Sequence, residues 1–177
     1  MGVSKEQAPN VYDLLVRGAD AADCVVKTPF GDVLPSNKEL SGASVELVDM
    51  ANREYVLKTR LLGLRDNYDY IFIDCPPSLN VFSVNALTAS DAVLIPMPGD
   101  FFSLEGIGQL MNTVKLVKKK LNPALEIEGV KRLSGAHLTA RDLRGGAALV
   151  LALLLCAAMP ARAAGVTAGG ADQDTSA

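Results

Sequence analysis

The chain has 177 residues, of which 49% are hydrophobic and 21% are charged, and its formal net charge is −3. This balance is typical of a globular domain rather than a disordered chain, and the charge gives no overall basic field that would attract nucleic acid. The cysteines are scattered without a CxxC pair, and His137 is the only histidine. These counts disfavour a zinc site, a disulfide framework and a histidine-based catalytic triad, and they favour a reducing cytoplasmic compartment.

The composition changes close to Val130. Residues 1–130 contain every aromatic residue and carry 12 Lys and Arg against 17 Asp and Glu. Residues 131–177 contain no aromatic residue, are rich in Ala and Gly, and carry 5 basic against 3 acidic residues. We therefore predict one domain over residues 1–130 and a divergent tail over residues 131–177.

The first predicted elements are short. Asn10 can cap a helix that ends at Gly18, residues 20–26 are compatible with a second short helix, and residues 31–35 with a strand that stops at proline. From Ser41 the pattern predicts one long helix up to about Arg65. Its expected apolar stripe consists of Val45, Val48, Ala51, Tyr55 and Leu62.

Strands and helices then alternate to residue 130. Apolar runs predict strands over residues 70–73, 91–96 and 125–130, and apolar periodicity predicts helices over residues 78–90, with Ser78 as the cap, and 104–121. This alternation is typical of an α/β fold with a buried parallel sheet. Right-handed crossovers would bring the strand ends near Asp74, Pro96 and Val130 to one edge, where open α/β sheets bind ligands.

Asp74 directly follows the first of these apolar strands, in the stretch YDYIFIDCPPSLN. A carboxylate at the end of a buried strand is the Walker B arrangement, and one such group suffices for Mg²⁺, which keeps most of its water shell. Pro76 and Pro77 fix φ and lack N–H donors, and Cys75 is kept out of the helical region by the proline after it. The chain would thus leave the strand as a stiff loop. An aspartate that only caps the next turn is the competing interpretation.

Four segments in order, IDCPPSL, NALTASD, LIPMPGDFFSLEG and LNPALEIEGV, closely resemble the ParA/Soj family of chromosome- and plasmid-partitioning ATPases. The upstream stretches VYDLL and VLPSNKEL extend the resemblance to about residues 10–130. It implies a P-loop NTPase-like parallel sheet with flanking helices. It also places Asp74 on the Walker B aspartate, which holds Mg²⁺ through water, and Cys75, Pro76 and Pro77 on the switch II segment beside the nucleotide.

The resemblance implies an activity and partners as well. The family binds ATP and Mg²⁺, forms a homodimer around two nucleotides and then binds DNA without sequence preference, and a ParB-type partner protein stimulates hydrolysis. Such a protein is cytoplasmic and associated with the nucleoid.

The chain departs from the family at both ends. The family opens with a strand, a Gly-rich loop of the KGGVGKT type and a second strand, whereas no GxxxxGK[ST] motif occurs in these 177 residues. We therefore expect a partial sheet that lacks the first strands, the P-loop and the C-terminal strands, and that does not bind ATP tightly. The missing first strand lies beside the Walker B strand in the family, so an unpaired apolar edge and marginal stability are expected.

Two interpretations of residues 131–177 remain open, a shifted reading frame and a disordered tail. Residues 147–159 are mostly apolar but fall short of the roughly 20 residues that a spanning helix needs, so a membrane role is disfavoured. For function, the leading interpretation is an inactive derivative of a ParA-type ATPase. The alternatives are a non-enzymatic fragment that docks on a full-length ParA or its partner and, last, a MinD-like membrane-associated protein.

Overall fold

The computed structural model describes residues 2–75, 80–97, 103–132 and 148–153. Its second half confirms the predicted alternation of strands and helices. The elements there are β3 (Tyr70–Cys75), α3 (Val81–Ala89), β4 (Ala92–Met97), α4 (Ser103–Lys120), β5 (Glu126–Arg132) and β6 (Ala148–Leu153).

The N-terminal region contains a small hairpin and a π-helical turn. The turn, Asp13–Arg17, ends at Gly18, whose φ of 74° is the left-handed conformation that glycine adopts most easily. The antiparallel hairpin joins β1 (Val26–Thr28) and β2 (Gly31–Val33). The short helix expected over residues 20–26 is wrong, because the chain forms only a turn there before β1 begins.

The single long helix expected from Ser41 to Arg65 is also wrong. The segment divides into α1 (Leu40–Val48), a 3₁₀ turn (Arg53–Tyr55), α2 (Val56–Leu61) and a second 3₁₀ turn (Leu62–Asn67). The break comes at Asn52, which has a φ of 55°. Asparagine tolerates this left-handed conformation better than most residues, and an α-helix cannot continue through it.

The break changes which side chains are buried. Val45, Val48 and Leu62 of the expected stripe are 73%, 55% and 58% exposed. The buried residues of the segment are instead Ala43, Leu47, Leu61 and Leu64. Because α1 and α2 are separate helices, each buries its own face, and a stripe drawn through both has the wrong phase.

Among the described residues, the main sheet has four parallel strands in the order β3–β6–β4–β5. β6 therefore lies inside the sheet, although its residues belong to the segment that the composition separates as a tail. It pairs with β3 along all six residues, from Tyr70 opposite Ala148 to Cys75 opposite Leu153. We expected the edge of β3 to be unpaired. This expectation is wrong for one side of the strand, because β6 pairs with β3 there.

Two apolar clusters hold these elements together. The larger one contains the buried residues of α4 and consists of Cys75, Ala86, Leu87, Val93, Ile95, Leu110, Val114, Val117 and Leu125. The other joins the N-terminal region to α2 and α3 through Leu14, Ala21, Cys24, Leu61, Leu64 and Ala89. Ile73 of β3 packs against both clusters, so β3 connects the two halves of the described core.

Candidate functional site

The C-terminal ends of the parallel strands lie at one edge of the sheet, as the sequence predicts. Asp74 of β3 and Leu94 of β4 are both paired with Ala152 of β6, which places them at the same level in the sheet. Pro96 is paired with Lys131 at the corresponding end of β5. Asp74 therefore occupies the edge at which open α/β sheets bind their ligands.

Adjacent residues at the end of β3 have opposite environments. The Asp74 side chain is exposed, whereas Cys75 is only 5% exposed and belongs to the larger apolar cluster. Successive side chains of a strand point to opposite faces, so the strand that presents the carboxylate to solvent also anchors itself through the thiol.

Burial, with a further contribution from the charge of Asp74, raises the pKa of Cys75 from 9.0 to about 12. The thiol therefore stays protonated at neutral pH, and it is neither a nucleophile nor a metal ligand there. Cys75 was predicted to belong to a loop beside the nucleotide, and the structure places it at the end of β3 with its side chain in the core.

The loop itself lies beyond the part of the chain that the structure describes. This applies to Pro76 and Pro77, which stay predictions, and to Ser78, the expected cap of the next helix. The cap that the structure shows is Asn80, whose side-chain oxygen accepts hydrogen bonds from the backbone N–H groups of Phe82 and Ser83 at 3.0 and 3.3 Å. α3 thus begins firmly at this asparagine.

Asn85 on α3 is a buried polar residue that the sequence pattern did not reveal. Its side-chain amide donates to the carbonyl oxygens of Arg53 and Val81 at 2.7 and 3.0 Å, and its oxygen accepts from the N–H of Leu57 at 3.1 Å. It therefore fixes the helix that follows the Asp74 loop to the segment that leads into α2. A single asparagine in an apolar helix gives no periodic signal, and only its polarity at a buried position could have drawn attention to it.

Asn122 acts in a comparable way at the end of α4. Its side-chain amide donates to the carbonyl oxygens of Leu87 and Ser90 at 3.1 and 2.7 Å, and the residue is 5% exposed. It therefore holds the end of α4 against the turn that leads into β4. The sequence pattern ends the predicted helix at residue 121, just before Asn122, but it gives no sign of this clamp.

The chemistry of Asp74 fits a magnesium ion. Mg²⁺ binds oxygen ligands and is usually held by one or two carboxylates together with water and substrate phosphates. Asp74 offers such a carboxylate to solvent, whereas the described residues contain no cluster of three or more His, Cys, Asp or Glu side chains that could hold an ion by themselves. An ion at this edge would need ligands besides Asp74, and Mg²⁺ generally takes them from water and phosphate oxygens.

The basic residues of the last turns of α4 lie on the surface. Lys115, Lys118, Lys119 and Lys120 of α4 are exposed, in agreement with a solvated last helical turn. In the described ranges, no helix is both long and apolar enough to cross a bilayer.

Comparison with known proteins agrees with the motif evidence. A family model described as "AAA domain" matches residues 1–127. The sporulation initiation inhibitor protein Soj of Bacillus subtilis is 49% identical over 133 residues, a match that covers 73% of this chain and 53% of the relative. The chromosome partitioning protein ParA of Caulobacter vibrioides is 44% identical over 155 residues, covering 81% of this chain and 58% of the relative.

A solved structure shows the same fold. It is described as cobyrinic acid a,c-diamide synthase from Mycobacterium smegmatis with bound ATP analog and magnesium, and it superposes with a TM-score of 0.72 at 33% identity. The match covers 80% of this chain and 59% of the other. The chain spans about half the length of the curated relatives it matches. The family model, the partitioning relatives and the shared fold together show that this chain belongs to the ParA/Soj family of partitioning ATPases.

Proposed function

We propose that this chain carries the magnesium side of the ATP site of a ParA-type partitioning ATPase, with Asp74 as the Walker B carboxylate. The observation that supports the proposal is the exposed position of Asp74 at the C-terminal edge of the parallel sheet. The solved relative with bound ATP analog and magnesium is consistent with it. The role of chromosome partitioning comes from the relative named chromosome partitioning protein ParA.

In this proposal the ion supplies charge neutralisation for the phosphates of ATP when it is bound. Asp74 accepts hydrogen bonds from the water shell of the ion and so positions it. Cys75 keeps the end of β3 fixed in the core, and Pro76 and Pro77 stiffen the loop that follows. Asn80 and Asn85 then fix α3, so the loop is held at both ends by well-packed elements.

We further propose that these 177 residues alone do not bind ATP tightly. Phosphates need a nest of backbone N–H groups, usually with a lysine, and the sequence contains no GxxxxGK[ST] motif. Dimerisation around nucleotide, binding of DNA without sequence preference and stimulation by a ParB-type partner belong to the same proposal as properties of the whole family protein.

The relatives carry different names, and sequence identity favours the partitioning protein over the amide synthase. The chromosome partitioning protein ParA is 44% identical to this chain, whereas the protein named cobyrinic acid a,c-diamide synthase is 33% identical. We therefore prefer partitioning to amide synthesis as the role of this site.

A chimera tests the role of Asp74 directly. A designed segment, a strand followed by a GxxxxGK[ST] loop, is fused ahead of residues 2–132, and ATP hydrolysis is measured with and without Mg²⁺. We expect magnesium-dependent hydrolysis that Asp74→Ala abolishes and that Asp66→Ala, at an exposed carboxylate in the turn before β3, leaves intact. Folded chimeras whose hydrolysis is absent or is insensitive to Asp74→Ala would contradict the proposal.

A second candidate function is a non-enzymatic fragment that docks on an intact ParA-type protein. It is favoured by the sheet order, in which β3 and β5 each have a neighbour on one side only among the described strands. Such strands can add to another sheet. Co-purification of the tagged chain with an intact ParA-type ATPase would support this candidate, and separate elution of the two proteins would exclude it.

A further inference from the structure

The C-terminal half of α4 carries a concentrated positive charge on the surface. Lys115, Lys118, Lys119 and Lys120 are all exposed, and Leu116 among them is 54% exposed. These five residues are called the lysine patch below. Residues 106–125 contain no Asp or Glu, so the helix itself offers no carboxylate close to the patch.

The charge of the patch is not paired elsewhere in the described ranges. The ion pairs found there involve Arg17, Arg53 and Arg65, and none of the four lysines takes part in one. Cations in the last turn of a helix are favoured by its dipole, but this effect falls off within that turn. Lys115 precedes the last turn, so the dipole does not account for the whole patch.

Leu116 gives the patch an apolar centre. Residues three and four positions apart are neighbours on a helix surface, so Lys119 and Lys120 lie one turn beyond Leu116. The buried side of the helix is separate and contains Leu110, Val114 and Val117. An exposed apolar side chain among cations is complementary to a partner that carries an apolar side chain among carboxylates.

The patch stands on a fixed part of the fold. The Tyr55 hydroxyl donates to the carbonyl oxygen of Leu121 at 3.1 Å, and Asn122 clamps the next turn to α3. α4 leads from the end of β4 to the start of β5, and these strands are parallel. Its last turn therefore lies at the sheet edge opposite Asp74. A ligand on this surface would order little of the protein and would leave the proposed ATP site open.

We propose that the lysine patch is a docking surface for an acidic peptide segment of a partner protein, with an apolar residue between its carboxylates. A nucleic acid fits less well, because its phosphate backbone offers no apolar group to Leu116. Duplex DNA is also a long rod of negative charge. The patch holds four of the 12 basic residues in residues 1–130, which carry 17 acidic residues, so the surroundings of the patch repel such a rod.

Fluorescence anisotropy of the full chain with a labelled probe tests the proposal. The probe is a short peptide of Glu and Asp with one central leucine, and added salt should release it. Lys119→Gln combined with Lys120→Gln should weaken binding several-fold, and Leu116→Ser should weaken it as well. The control, Lys5→Gln combined with Lys38→Gln, removes the same charge at exposed lysines elsewhere and should leave binding unchanged.

A second probe, in which serine replaces the leucine, tests the apolar centre without altering the protein. It should bind wild type several-fold more weakly, and Leu116→Ser should not weaken it further. Absence of binding by the first probe, equal binding of the two probes, or equal losses for the patch and control variants would overturn the proposal. Tighter binding of a labelled DNA duplex through the same lysines would also overturn it, because the patch would then belong to nucleic acid.

Discussion

β3 and β4 are both six-residue parallel strands bordered by β6, yet their surroundings differ. The four residues of β4 from Ala92 to Ile95 are 0–9% exposed, so this part of the strand is buried on both faces. In β3 the exposure alternates, with Phe72 49% exposed, Asp74 exposed and Cys75 buried. β4 is thus a structural strand, whereas β3 combines a buried anchor with a carboxylate that solvent can reach.

This difference shows that one strand of the sheet serves stability and the other can present a functional group. A strand buried on both faces contributes stability through each side chain but can present no chemistry along its length. A strand with one open face can carry a charged group without the cost of burying it. The predictions that follow compare the two strands through the free energy of unfolding, from the largest expected effect to the smallest.

The largest effect is expected for Ile95→Ala on β4. Ile95 is fully buried, and truncation of a buried isoleucine costs about 2–5 kcal/mol. Ile71→Ala on β3, where the side chain is half-buried, should cost less. Urea denaturation of both variants provides the measurement. Equal losses, or a larger loss for Ile71→Ala, would contradict the assignment of β4 as the structural strand.

Asn122→Ala should come next, because it removes the clamp at the entrance to β4. The carbonyl groups of Leu87 and Ser90 would lose a buried donor, at a cost of about 1–3 kcal/mol. Asn112→Ala, at an exposed position of α4, is the matched control and should change stability by less than about 0.5 kcal/mol. If thermal denaturation shows the same effect for both variants, the clamp has no energetic role.

The buried thiol of β3 predicts a loss of stability at alkaline pH. Because the pKa of Cys75 is raised from 9.0 to about 12 in the folded state, the unfolded chain loses this proton first. The stabilising contribution is complete below about pH 9 and is lost as the pH rises toward 12. Between about pH 8 and about pH 10, wild type should lose about 1 kcal/mol more than Cys75→Ala in urea denaturation. Parallel pH profiles for the two proteins would show that this pKa difference does not exist.

The smallest effect is expected for Asp74→Asn. An exposed polar substitution usually changes stability by less than about 0.5 kcal/mol, and Asp74 is exposed at the end of β3. Thermal denaturation measures this change. A loss comparable to that of Ile95→Ala would mean that Asp74 is a structural residue, contrary to its proposed functional role.

The sequence predicts the fold best where one pattern runs without interruption. α4 was predicted over nearly its full length because its apolar residues repeat at helical spacing up to Asn122. The helix break at Asn52 was missed because the apolar residues keep their helical spacing on both sides of it. A single residue in the left-handed conformation is enough to end the helix. The pairing of β6 could not be predicted either. Its partner strands are far away in sequence, and local sequence patterns do not show which distant strands pair.

The sequence likewise predicts only part of the candidate site. The motif around Asp74 identified the carboxylate and its place at the sheet edge, since both depend on strand polarity. The inward packing of Cys75 and the clamps made by Asn85 and Asn122 depend on which groups surround each residue in space. No local pattern in the sequence contains that information.

The central claim is that Asp74 offers one half of a nucleotide site whose phosphate-binding half is not encoded in these 177 residues. Titration of the chain with a fluorescent ATP analogue in the presence of Mg²⁺ tests it most directly, with Asp74→Ala as the comparison. We predict no saturable binding at micromolar concentrations and no difference between the two proteins. Micromolar binding by wild type that is lost on Asp74→Ala would contradict the claim.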